Sequence, residues 1–160
     1  MAILASMLVT GCGFTPIYSQ DKSNSVRQYL PLVEVAKISG HSGLLLRNRL
    51  NEKLSPKSVA DVPQFRLSID LESSTQALLI QSDNTATRQN LRMRASFALV
   101  DLSSGATVFE GNSVSVGSYN VVGSEFATIS AEDNAAERAA QEIGKEIFDL
   151  LVVYFNRKES

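Results

Sequence analysis

The chain has 160 residues, 44% of them apolar and 20% charged, with a formal charge of −2. That is room for one compact domain, and nine Gly and four Pro at so small a net charge exclude collagen-like, polybasic and strongly disordered chains. One Cys (Cys12) and one His (His41) exclude an internal disulfide and leave too few groups for a Cys/His zinc site or thiol–imidazole catalysis.

Residues 1–13 are an apolar stretch followed by small residues and the single cysteine. An export signal needs an apolar segment and then small residues that the peptidase can accept in extended form. Val9-Thr10-Gly11-Cys12 supplies this order and resembles the bacterial lipobox, in which the thiol is acylated and the bond before it is cut. Residues 1–11 then read as a lipoprotein signal and Cys12 as the lipidated first residue of the mature chain. No Lys or Arg precedes the apolar run, which an upstream start would supply. Diacylglycerol and N-acyl chains on Cys12 would anchor the protein, since each buried methylene contributes about 0.8 kcal/mol and stable attachment takes two or more chains. Gly13, where inner-membrane retention uses Asp, favours the outer membrane facing the periplasm. No apolar run reaches the eighteen or so residues of a spanning helix.

Phe14 to Gln28 mixes Pro, Ser, Asn and Gln without period, so residues 12–28 are expected to form a flexible tether and residues 29–160 one domain. Val33 to Ile38 is β-branched and predicts a first strand, broken by Ser39-Gly40-His41-Ser42-Gly43. Leu46, Leu50 and Leu54 recur at four and predict a helix over 44–54 with Ser42 as N-cap, ended by Ser55-Pro56. Phe65 to Glu72 alternates apolar and polar, and Leu91 to Leu99 alternates again. A Ser/Gly turn over 101–107 leads to a strand over 108–119, where Val114 and Val116 are read as the inward face and the serines as outward. Gly111 and Gly117 there permit a bulge or a close backbone approach. Ser130-Ala131-Glu132-Asp133 predicts the start of a long last helix with an apolar stripe through Ala136, Ala139, Ala140, Ile143, Ile147, Leu150, Leu151 and Tyr154. The order β-α-β-β-β-α fits an α+β two-layer sandwich: a four-stranded, mostly antiparallel sheet with two helices on one face.

The other face of that sheet is left open, and it carries Arg66, Asp70, Glu72, Arg92 and Arg94. No acid occurs between Asp83 and Asp101, so Arg88, Arg92 and Arg94 form a local charge of +3. Arginines so placed suit a lipid phosphate, which they can hold bidentately. Cross-strand pairing with Asp70 and Glu72 is the plainer use of the same residues. His41 falls in a Gly/Ser loop and is assigned no role. Glu132, Asp133, Glu137, Glu142, Glu146 and Asp149 form an acidic helix face of the kind that is usually solvated. No catalytic triad, metal ligand set or nucleotide-binding glycine loop is present, so no enzyme activity, metal, resident cofactor or nucleic-acid partner is expected.

Several pieces in order resemble the outer-membrane lipopolysaccharide-assembly lipoprotein family known as LptE, in its alphaproteobacterial form. They are Gly11-Cys12-Gly13-Phe14-Thr15-Pro16-Ile17-Tyr18, Leu46-Arg47-Asn48-Arg49-Leu50, Phe65-Arg66-Leu67, Thr87-Arg88 and Ala95-Ser96-Phe97-Ala98-Leu99. Ser118-Tyr119-Asn120, Phe126-Ala127, Asp133-Asn134-Ala135 and Arg138-Ala139-Ala140 continue the series. The resemblance implies a non-enzymatic lipoprotein that plugs the β-barrel LptD, assists its assembly and contacts lipopolysaccharide in transit. A polar sheet face and a lipid tether are physically compatible with the lumen of a large barrel. The competing expectation is a periplasm-facing lipoprotein that escorts another envelope complex.

Overall fold

The computed structural model describes residues 28–55, 62–79 and 87–158, so Cys12, the signal and the tether through residue 27 lie outside the described residues. A 3-10 turn at Leu30–Leu32 leads into β1 (Val33–Val35), followed by α1 (Gly40–Leu54), β2 (Phe65–Leu79), β3 (Thr87–Asp101), β4 (Thr107–Val121) and α2 (Glu125–Lys158). The sheet order is β1-β2-β3-β4, with β1 parallel to β2 and the other two pairings antiparallel. This is the expected α+β architecture.

Size sets the layering. At about 1.5 Å per residue α2 is roughly 51 Å long and α1 about 22 Å, whereas fifteen-residue strands run about 50 Å. Only α2 matches the sheet from end to end. α1 covers the half of the sheet near β1, and there Phe65 and Leu67 of β2 are buried with Leu46, Leu50, Leu54, Ile143, Ile147 and Leu151. Beyond α1, Ser73 and Thr75 carry the inward parity of β2 yet are exposed. β2 therefore continues to Leu79, past its apolar alternation, because β3 pairs with it throughout. The central strand β3 buries Leu91, Met93, Ala95, Phe97 and Leu99 in strict alternation.

Three local expectations are corrected. α1 starts one turn earlier than its leucine period suggests: Ser39 is the N-cap residue, and His41 and Ser42 lie in the first turn. Gly43 is what permits this, since a Cβ there would stand 2.7 Å from Ile38 Cγ2 and 2.9 Å from the Ile38 carbonyl carbon. β1 ends at Val35 rather than Ile38. α2 begins at Glu125, not at Ser130: the Ser124 hydroxyl accepts the Ala127 N–H at 3.4 Å, and the Thr128 hydroxyl donates to Val122 O at 3.2 Å.

The largest correction concerns β4. Ser113 and Ser115 are the buried residues, and Val114 and Val116 are 39% and 53% exposed. Leu99 pairs with Phe109 but Val100 pairs with Thr107, so Val108 is an extra residue on β4. One inserted residue exchanges the faces of everything beyond it. Phe97 then lies over Gly111, where a Cβ would meet the ring at 2.8 Å, and Gly117 lies against Ala135 of α2.

Candidate functional site

The open face of the sheet is built by the even-numbered residues of β2, β3 and β4. Arg88, Arg92 and Arg94 all reach it from β3 and all are exposed. The register sets Arg92 between Ser74 and Val116, and Arg94 between Glu72 and Val114. Arg88 lies beside Asn120 of β4, toward the far end of the sheet. With two residues per strand repeat, Arg92 and Arg94 are about 7 Å apart along β3, and Arg88 is about 13 Å beyond Arg92.

The expected pairing of these arginines with Asp70 and Glu72 does not form among the described residues. Asp70 is level with Ser96 rather than with an arginine, and Glu72 stands opposite Arg94 without an ion pair within 4.0 Å. The ion pair on this side of the sheet is Arg66 with Glu34, at 3.5 Å and half exposed. The face therefore presents cationic groups beside exposed valines, with Ser74 on the other flank of Arg92 and the unpaired Glu72 on the other flank of Arg94. Such a surface can hold an anionic amphiphile, phosphate against guanidinium and hydrocarbon against valine.

On the opposite face, several members of the acidic stripe are engaged, two of them by buried serines of β4. Ser113 donates its hydroxyl to Glu146 Oε2 and Ser115 donates to Glu142 Oε2, each at 2.5 Å. Lys145 pairs with Asp149 at 3.2 Å. Further along, buried Tyr119 donates to Gln89 Oε1 at 2.7 Å. Burial, and then the charge of Glu132, push its phenol up. Burial also raises Tyr154, with Asp101 adding to it. His41 is exposed at the start of α1. Among the described residues no three His, Cys, Asp or Glu side chains converge as a metal site, and no helix is long and apolar enough to cross a membrane.

Sequence reasoning missed a cluster at the end of the sheet remote from α1. Phe126 is 81% exposed and Ile129 52%, one turn apart on α2, with exposed Val122 before them. The signal was present, since Phe126 and Ile129 lie outside the stripe that begins at Ala136, but an early helix start was needed to place them on one face.

A family model described as LptE, lipopolysaccharide-assembly, matches residues 29–151. An uncharacterized protein of Rickettsia prowazekii strain Madrid E is 24% identical over 156 residues, 98% of this chain and 96% of its own length. Among solved structures, a lipoprotein of Caulobacter crescentus superposes with a TM-score of 0.68 at 24% identity, over 84% of this chain and 97% of that one. The rare lipoprotein B of Shewanella oneidensis superposes at 0.60 and 12% identity, over 80% of this chain and 98% of its own. At those identities the superpositions establish the shared fold.

Proposed function

The chain belongs to the LptE family of lipopolysaccharide assembly, and on that premise we propose that it is a lipid-anchored subunit of an outer-membrane lipopolysaccharide translocon. In this reading Cys12 carries the acyl chains at the periplasmic side of the outer membrane. The folded domain seats in an LptD-type β-barrel, assists its assembly and contacts lipopolysaccharide as it passes. Its role is structural and lipid-handling rather than enzymatic.

The observation that supports a lipid contact most directly is that Arg92 and Arg94 stand free of acidic partners beside Val116 and Val114. A guanidinium already paired with a carboxylate would have to exchange that partner for phosphate; these would not. The deciding experiment is affinity purification of the full-length lipoprotein from solubilised outer membranes. Recovery of a large β-barrel at fixed stoichiometry is expected. Recovery of a different envelope complex instead would replace this reading with that of an escort.

A further inference from the structure

The sheet stops at β4. Among the described residues no strand pairs with its outer edge, which leaves alternate backbone donors and acceptors of a fifteen-residue strand facing outward. Proteins that keep such an edge free blunt it with Lys, Pro, inward charges or bulges. Between Thr107 and Val121 there is no Lys, Arg or Pro, Glu110 is the only charge, and the bulge at Val108 is confined to one end. The middle of the strand carries Val114 and Val116, exposed on the open face.

We propose that the outer edge of β4 pairs antiparallel with β4 of a second copy of this chain, about a two-fold axis through Ser115, giving one continuous eight-stranded sheet. Unpaired strand backbone calls for another extended strand, and the side chains favour self-pairing. In this register Val114 stands opposite the second copy's Val116, and Val116 opposite its Val114, so four valines form a closed apolar centre. Aromatic and β-branched cross-strand pairs of this kind are what stabilise a sheet. The flanking residues match as well: Asn112 meets Ser118 of the second copy, and Glu110 meets its Asn120, so no like charges face each other on the strands.

The same axis orders the helices. Glu142 is level with Ser115 through their hydrogen bond, and Arg138 and Glu146 lie one turn to either side of Glu142. The two-fold therefore sets the Glu142 side chains of the two copies level with each other, each accepting from its own Ser115, and sets Arg138 of each copy level with the second copy's Glu146. On the open face Arg92 and Arg94 of each copy border the four valines. The inference does not rest on the barrel or on the lipid, and it holds or fails on the isolated chain.

The test uses the full chain with Cys12→Ser in two preparations of different mass, one carrying Val114→Cys and the other Val116→Cys. The chain without added cysteines should sediment as a dimer at tens of micromolar. Mild oxidation of the mixture should yield the mixed disulfide in at least about fivefold excess over either homodisulfide, because only directly opposed Cβ atoms approach the geometry a disulfide needs. Val116→Lys should sediment as a monomer with an unchanged circular dichroism spectrum. A monomeric parent chain overturns the proposal. If its β4 amides are then protected from hydrogen exchange, and exposed on removal of residues 13–27, the occupant is the chain's own tail. A dimer that survives Val116→Lys, or one that forms the homodisulfides as readily as the mixed one, also overturns it.

Discussion

Ser115 of β4 is 5% exposed and donates its hydroxyl to Glu142 of α2 at 2.5 Å. With Ser113 and Glu146 it forms a pair of polar links where an apolar strand-helix contact would ordinarily lie. The arrangement follows from close approach. Phe97 lies over Gly111, and α2 meets β4 at Ser113, Ser115 and Gly117, so this side of the core favours small side chains, and a small polar group that is buried needs a partner.

Removing the Ser115 hydroxyl should cost stability without loss of fold. Ser115→Ala leaves Glu142 free to turn to water, so about 1 kcal/mol is expected, near the ordinary net value of one hydrogen bond. Ser115→Val should cost more, about 1–3 kcal/mol, because it adds volume under α2. Urea denaturation midpoints at constant slope distinguish the two. Greater stability in the valine variant would show that the strand-helix spacing has room to spare.

Gly43→Ala tests the early start of α1. Alanine favours a helix by about 1 kcal/mol over glycine, but here its Cβ would meet the Ile38 carbonyl carbon at 2.9 Å, and backbone cannot step aside. A net loss of about 1–3 kcal/mol is expected from the overpacking. Gly123→Ala, with nothing within 4 Å, serves as the control. Equal melting temperatures for the two variants would mean that α1 does not begin where Gly43 puts it.

Asp101 gives the β3–β4 turn a pH dependence. The Ser103 hydroxyl and N–H, at 2.6 and 2.9 Å, hold its carboxyl below its ordinary value. A carboxylate whose pKa is lowered by folding contributes stability that is present above the ordinary pKa and is lost as pH falls through the lowered one. The melting temperature of the native chain should therefore exceed that of Asp101→Asn at neutral pH. The gap should close below about pH 4, where carboxylates begin to protonate. A gap that stays constant down to pH 2 would assign the difference to something other than this charge.

The arginine face yields a binding prediction. Arg92→Ala with Arg94→Ala should weaken lipopolysaccharide binding to the purified protein, leaving the unfolding free energy unchanged to within about 1 kcal/mol, as expected for exposed charges. Binding by the native chain should weaken with added salt, because the Debye length falls from about 10 Å at 0.1 M to roughly 3 Å at 1 M. Adding Arg88→Ala should weaken it further. Superimposable titrations for native and triple variant at both salt concentrations would remove these residues from the lipid site.

Cys12→Ala in the precursor, expressed with a complete export signal, should accumulate uncut and unacylated. Intact mass spectrometry reads this directly. The same mature mass in native and variant chains would dismiss the lipobox.

Much of the fold was legible from local pattern. The alternation from Phe65 to Glu72 and from Leu91 to Leu99 marked β2 and β3, and leucines at four-residue spacing marked α1. Those signals survive because the elements they mark bury one face against a common core, so periodicity and burial coincide. Leu50, Phe97, Ile143 and Ile147 are accordingly at most 3% exposed. The placing of Arg92 and Arg94 on one face was legible for the same reason, since residues of equal parity on one strand share a side, and Arg88 joins them because β3 begins at Thr87, before the apolar alternation.

What the tertiary structure decided is the orientation of β4 and everything that depends on it. A bulge is a property of pairing between two strands, and no periodicity within β4 announces that Val108 is the extra residue. Read alone, the alternation puts valines inward, because hydrophobicity favours them there by about 1.5–3 kcal/mol per fully buried side chain. In the folded chain the inner face is crowded, because a Cβ on Gly111 would meet the Phe97 ring at 2.8 Å and one on Gly117 would already touch the Ala135 carbonyl oxygen of α2 at 3.4 Å, leaving little depth for a branched side chain. Space, rather than apolarity, selects serine and glycine for the inner face. The valines are thereby left beside the arginines on the open face, and Glu142 and Glu146 receive partners from another element of the fold.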